Sequence, residues 1–160
     1  MAKYGEDVDL RKKYAAAHKQ CQLSSLLFSF GEIPTAHAPA AHTHHIFGGV
    51  ARVDNWSNLI RLSAEAHDWC HDDARSKVAC LYQKIALSRL WLPEIEDACR
   101  THRIIGWLEN VIDGNQDPLV KHCGPAVLRH LIRQTTDKSH SGVKDGPERN
   151  DSTGNAGTPR

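Results

Sequence analysis

The chain has 160 residues and a net charge of +1, with 40% hydrophobic and 24% charged residues. This is the make-up of one globular domain able to bury a core without disulfide staples, and its charge balance advertises no nucleic-acid partner, which has to be argued from a site. It contains no membrane-length apolar run and no signal-peptide segment, and its five cysteines form no CxxC, so the expected protein is cytoplasmic, without a membrane partner, and keeps free thiols.

In chain order, "DLRKKYAAAHKQ" (9–20) combines helix formers with an aspartate able to cap them. Residues 21–41 carry Pro34, Pro39 and a glycine, and are expected to be mostly loop, with a short extended piece at Leu26–Phe30. "HTHHIF" (42–47) reads as a strand ended by Gly48 and Gly49. "NLIRLS" (58–63) reads as a second, with Leu59, Arg61 and Ser63 on one face and Ile60 and Leu62 on the other.

From Ala64 to about Leu87 the period is helical: Ala74, Val78, Leu81 and Ile85 mark a buried stripe. Extended backwards, the stripe reaches His71 and His67, which places both on the inward face. Pro93 is expected to open a helix to about Ile112, with Ile95, Cys99, Ile105 and Leu108 inward. "DGNQDP" is a turn, and Pro125 is expected at the first position of a last helix. From Thr136 onward almost nothing is apolar, so 136–160 is expected to be a disordered polar tail. The expected fold is α+β and mostly helical: a small ββα hairpin–helix unit packed against N- and C-terminal helices, one domain over 1–135.

Five of the 11 histidines fall in residues 42–71. His67 and His71 are one helical turn apart, a spacing that lets two imidazoles share a metal. His44 and His45 are neighbours on a strand and point to opposite sides, so one can be a ligand while the other does acid–base work. Three protein ligands leave positions open for water or a substrate oxygen, as a catalytic metal requires. Taken alone, His67 and His71 are more simply two polar residues at the wet end of a helix; the metal reading gains from His44, His45 and Asn58 in register.

The order "HH", Asn thirteen residues after the second His, His nine after the Asn and His four later resembles the HNH nucleases. Their ββα-metal motif folds a hairpin and a helix around one divalent ion. The likeness is to the histidine-rich form of colicin-type DNases, and "HHIFGG…NLIRL…H" is similar to bacterial and phage HNH proteins. It covers residues 42–75, about a fifth of the chain. The resemblance implies that His44, His67 and His71 ligate the metal, that His45 is the general base, and that Asn58 braces the loop orienting His45. It implies hydrolysis of DNA phosphodiesters to a 5′-phosphate and a 3′-hydroxyl.

Many HNH proteins also carry two CxxC pairs that hold a structural zinc. Here those positions read Cys21-Gln-Leu-Ser24 and Ser63-Ala-Glu-Ala66, so no zinc knuckle is expected. Among the basic residues of the region, Arg61 and Arg75 are the preferred phosphate contacts, with His42 as a further substrate contact. Acidic neighbours nearly cancel these charges, so modest, salt-dependent DNA affinity is expected. A phage packaging or recombination protein is a candidate positioning partner. By ligand type the cofactor is one divalent ion: zinc, nickel or manganese suit imidazoles, while magnesium is the common ion of phosphodiester chemistry. The rival readings are a catalytically silent metal- or nucleic-acid-binding module on the same motif, and a hydrolase of small phosphoesters.

Overall fold

The computed structural model describes residues 7–48, 54, 56, 58–88 and 98–140. Its described part is mostly helical, with a two-stranded antiparallel sheet. No described helix is long and apolar enough to cross a membrane.

Helix α1 (Val8–Ala17) starts at Asp7, whose side chain accepts the Leu10 amide at 2.9 Å, and buries Tyr14. The expected extended piece at Leu26–Phe30 is instead part of a short helix, α2 (Ser24–Ser29). Leu23 and Leu27, four residues apart, are both fully buried, a helical rather than an alternating pattern. Gly31 then stops the helix at φ 72°, its amide bonding Phe28 O at 2.9 Å while the Glu32 amide bonds Leu27 O at 2.9 Å. That paired closure needs a left-handed residue, which glycine supplies without steric cost.

Strand β1 (His42–His45) pairs antiparallel with β2 (Leu59–Leu62), with His42 opposite Leu62 and His45 opposite Leu59. The expected two-faced β2 is more deeply enclosed than its alternation implies: Leu59, Ile60 and Leu62 are all fully buried.

The single helix expected from Ala64 to Leu87 is two. Helix α3 (Ala64–Asp72) is capped by Ser63, whose hydroxyl accepts the Ala66 amide at 3.2 Å. It ends at Asp73, which is extended (φ −111°, ψ 124°), and α4 (Ser76–Ser88) begins afresh. Asp73 Oδ1 accepts the Arg75 amide at 2.8 Å, a local side-chain turn that competes with helix continuation. The stripe therefore holds only in α4, through Val78 and Leu81, while Ala74 is exposed. In α3 the buried face is Ala66 and Cys70, so His67 and His71 do not lie on the inward face.

Helix α5 (Ala98–Ile112) buries Leu108 and partly buries Ile105; Pro93, Ile95 and the Cys99 side chain lie outside the described residues. The last helix, α6 (Pro118–His140), starts at Pro118 rather than Pro125. Asp117 Oδ1 accepts the amides of Leu119 and Val120 at 2.9 and 3.1 Å, and Pro118 takes the first position, where its missing N–H costs nothing. Helix α6 runs to His140, five residues into the expected tail; residues 141–160 lie outside the described part. Helices α4 and α5 both pack on α6. Gly124 of α6 lets α5 approach closely, since a Cβ there would lie 2.7 Å from Ile112 Cγ1.

One ionic junction ties these parts together. Arg75 Nη1 lies 2.7 Å from Glu32 Oε1 and 2.8 Å from Asp117 Oδ2, and Nη2 lies 2.6 Å from Asp73 Oδ2. It joins the end of α2, the α3–α4 break and the start of α6. The Asp73 and Glu32 carboxylates hold the guanidinium pKa above its already high ordinary value.

Candidate metal centre

The site forms where β1 passes the side of α3. Pairing with β2 fixes β1 in register, setting His44 opposite the buried Ile60. On α3, the four-residue spacing stacks His67 and His71 on one face. His44 meets both edge-on, with ring centroids 5.5 Å from His67 and 5.4 Å from His71. One donor nitrogen from each of the three lies within 4.8 Å of the others.

The donor set fits a divalent ion. His67 Nε2 and His71 Nε2 are 3.2 Å apart. Two nitrogens each about 2.0–2.1 Å from a shared ion would be separated by roughly 3 Å. Ligand imidazoles must be neutral, and His44 and His67 are biased that way. Burial, reinforced by the like charges of His67, His71 and His45, lowers His44 to about 4. Burial, with His42 and His71, also lowers His67, against a smaller upward pull from Asp68.

His45 is placed apart from this set. Its Nε2 lies 2.6 Å from Asp54 Oδ1, and the two side chains are only 10% and 1% exposed. A carboxylate can only accept, so Nε2 carries the hydrogen and Nδ1 is left to take a proton. Asp54 is itself held: Arg11 Nε of α1 is 3.2 Å from Oδ2, and the Asp7 amide donates to the same oxygen. Burial pushes the Asp54 carboxyl up, but the His45 hydrogen bond, the Asp7 amide and Arg11 together hold it below the usual carboxylate value.

Asn58 sits just before β2, 5% exposed. Its Oδ1 accepts the Phe47 amide at 2.8 Å and its Nδ2 donates to Phe47 O at 3.1 Å. These bonds, with Ile46 N donating to Asn58 O at 2.9 Å, fix the chain just after His45.

The triad and His45 line one cleft of about 530 Å³, together with Thr43, Ile46, Gly48, Cys70, Ser76 and Lys77. Cys70 forms part of its wall and faces Cys80, the two sulfurs 3.8 Å apart. The two serines that stand where a knuckle would need cysteine are engaged in other bonds: Ser24 Oγ donates to Ala36 O at 2.9 Å, and Ser63 caps α3.

The two arginines expected to touch substrate are engaged elsewhere, and neither lines the cleft. Arg61 donates to His18 O, Thr43 Oγ1 and Ala40 O at 3.2, 3.0 and 3.0 Å, tying the end of α1 to the sheet. Arg75 is closed in by its three carboxylates. The reason is common to both: a guanidinium with several donors is satisfied by nearby carbonyls and carboxylates that sequence order does not reveal. His42 is exposed and stacks on His67, centroids 4.3 Å apart at 18°, so it backs a member of the triad.

Two residues at the site went unrecognised in the sequence. Asp54, nine residues after His45, counted only as an acid offsetting nearby bases; an acid in the hairpin loop after the "HH" was the available signal. Lys77 was one cation among several. Compared with known protein families, curated proteins and solved structures, the chain matches none.

Proposed function

We propose that this protein is a metal-dependent endonuclease of the HNH type that hydrolyses DNA phosphodiesters by nicking or cleaving the backbone. One observation carries the reading: three imidazoles converge for a metal while a fourth, His45, stands in the same cleft with its own carboxylate. A purely structural metal site has no use for that fourth group.

In this reading, Asp54 accepts the hydrogen on His45 Nε2, which leaves Nδ1 to take a proton from water as the water oxygen attacks phosphorus. Arg11 and the Asp7 amide keep Asp54 ionised and still. Asn58 fixes the backbone of Phe47 and so limits drift of His45. His44, His67 and His71 would hold a divalent ion, which would neutralise phosphate charge and stabilise the leaving oxygen. The bond to the 3′-oxygen breaks, leaving a 5′-phosphate and a 3′-hydroxyl. Nicking is the natural activity, because one centre acts on one strand; four free thiols among the described residues suit a cytoplasmic setting.

The test is conversion of supercoiled plasmid to open circle across magnesium, manganese, nickel and zinc. Cutting that EDTA stops and excess metal restores is the expected result. A folded, metal-loaded protein that cuts under no ion would favour the silent binding module instead, for which the supporting observation is that Lys77 is the one lysine or arginine lining the cleft among the described residues.

A further inference from the structure

We propose that Lys77 is the phosphate clamp of the cleft, the cation that holds a nucleic-acid backbone phosphate beside the histidine triad. This rests on the reading of the triad as a phosphodiester-cleaving centre, and it names how that centre engages its substrate.

The other basic residues described in this region are already engaged. Arg61 is spent on two carbonyls and a hydroxyl, and Arg75 on three carboxylates. Lys84 is buried, donating to Trp56 O and Tyr14 OH. Lys77 differs on each count. It is exposed, it lines the cleft with His44, His45, His67 and His71, and among the described residues it makes no ion pair.

Its position is also supported from below. The Lys77 ammonium lies 5.8 Å from the Phe47 ring centroid, at the outer limit of cation–π attraction. Phe47 is the residue whose amide and carbonyl are both bonded by Asn58. Asn58 therefore anchors the platform under Lys77 as well as the chain beyond His45. The exposed acids of α3, Glu65, Asp68 and Asp72, do not line the cleft. A polyanion thus meets attraction on the α4 side and repulsion along outer α3, which gives the backbone a preferred approach.

A single lysine is a point charge with a flexible stem, so its contribution is one phosphate contact rather than bidentate recognition. One phosphate contact adds a salt slope of about 0.9 on duplex DNA. The experiment measures anisotropy of labelled duplex DNA, single-stranded DNA and RNA with the full chain carrying His45→Ala, loaded with metal and unable to turn over. Sodium chloride is varied from about 50 to 200 mM. The three probes share the phosphodiester, and the Lys77 effect is expected in whichever binds most tightly.

Lys77→Gln is expected to weaken binding about 5- to 10-fold at the lowest salt and to make the salt slope shallower by about one unit. Lys77→Arg restores both, while Arg61→Gln leaves the slope unchanged. If Lys77→Gln binds with the parent's affinity and slope, the clamp is overturned while the nuclease reading stands. If the parent binds none of the three probes, clamp and nuclease reading fall together.

Discussion

Replacing Asp54 by asparagine keeps the shape of the side chain and removes its charge. In the native fold that carboxylate is 1% exposed, with His45 Nε2 at 2.6 Å from one oxygen and Arg11 Nε at 3.2 Å from the other. Hydrogen bonds to charged groups contribute about 1.5–3 kcal/mol each. Arg11 adds an ion pair rather than a hydrogen bond and is 27% exposed, so solvent screening leaves its share small. The expected loss is about 2–3 kcal/mol, or roughly 5–10 °C in Tm for a domain of this size. The effect on turnover has a different origin. An asparagine can turn its amide toward His45 Nε2, which moves the imidazole hydrogen to Nδ1 and removes the lone pair that takes the proton. Single-turnover nicking at saturating metal should fall about 10²- to 10⁴-fold, the range a general base supplies. Adding Asp54→Asn to His45→Ala should cost nothing further, because the two act as one unit. A folded Asp54→Asn protein that nicks within about threefold of wild type would refute the dyad and leave Asp54 a purely structural acid.

Asn58→Ala deletes both bonds to Phe47 and should destabilise by about 2 kcal/mol in urea unfolding, slowing nicking while metal affinity holds. Arg75→Met leaves Glu32, Asp73 and Asp117 facing one another and should cost about 2 kcal/mol, discounted for their partial exposure, with the salt slope of DNA binding unchanged; a shallower slope would make Arg75 a phosphate contact after all. His44 sets a pH dependence in metal-free protein: its folded value near 4 lies below the ordinary 6.5, so the unfolded chain takes up the proton first. Its contribution is therefore complete above about pH 6.5 and lost as pH falls toward 4, and the difference in urea midpoint between wild type and His44→Gln should shrink over that window.

The hairpin and the His67–His71 pair were legible in the sequence because both rest on short-range rules, whereas the choice of His44 over His45 as their companion came from the likeness to HNH nucleases. Alternation in "HTHH" and "LIRL", and a four-residue repeat at His67 and His71, fix direction within one element. What was missed depends on competition between local and distant groups. The α3–α4 break follows from Asp73 bonding the Arg75 amide, a turn that a continuous apolar stripe concealed. The α2 helix was hidden by the prolines after it, although Gly31 was its terminator. Pro118 won the first helical position from Pro125 because Asp117 precedes it as a cap. Arg61 and Arg75 could not be told from Lys77 by order alone; their partners come from α1, α2 and α6, which only the fold brings near. Asp54 belongs to the same class, since its role depends on a loop returning beside His45.

The most direct measurement pairs metal occupancy with turnover in three proteins: wild type, His45→Ala and His67→Ala. Occupancy is read by equilibrium dialysis, and turnover by plasmid nicking in the same ion. Wild type should bind one ion and cut. His45→Ala should bind as wild type does and not cut, while His67→Ala should lose both. A His45→Ala protein that cuts at the wild-type rate would contradict the central claim, because the group set apart from the metal would then have no part in the reaction.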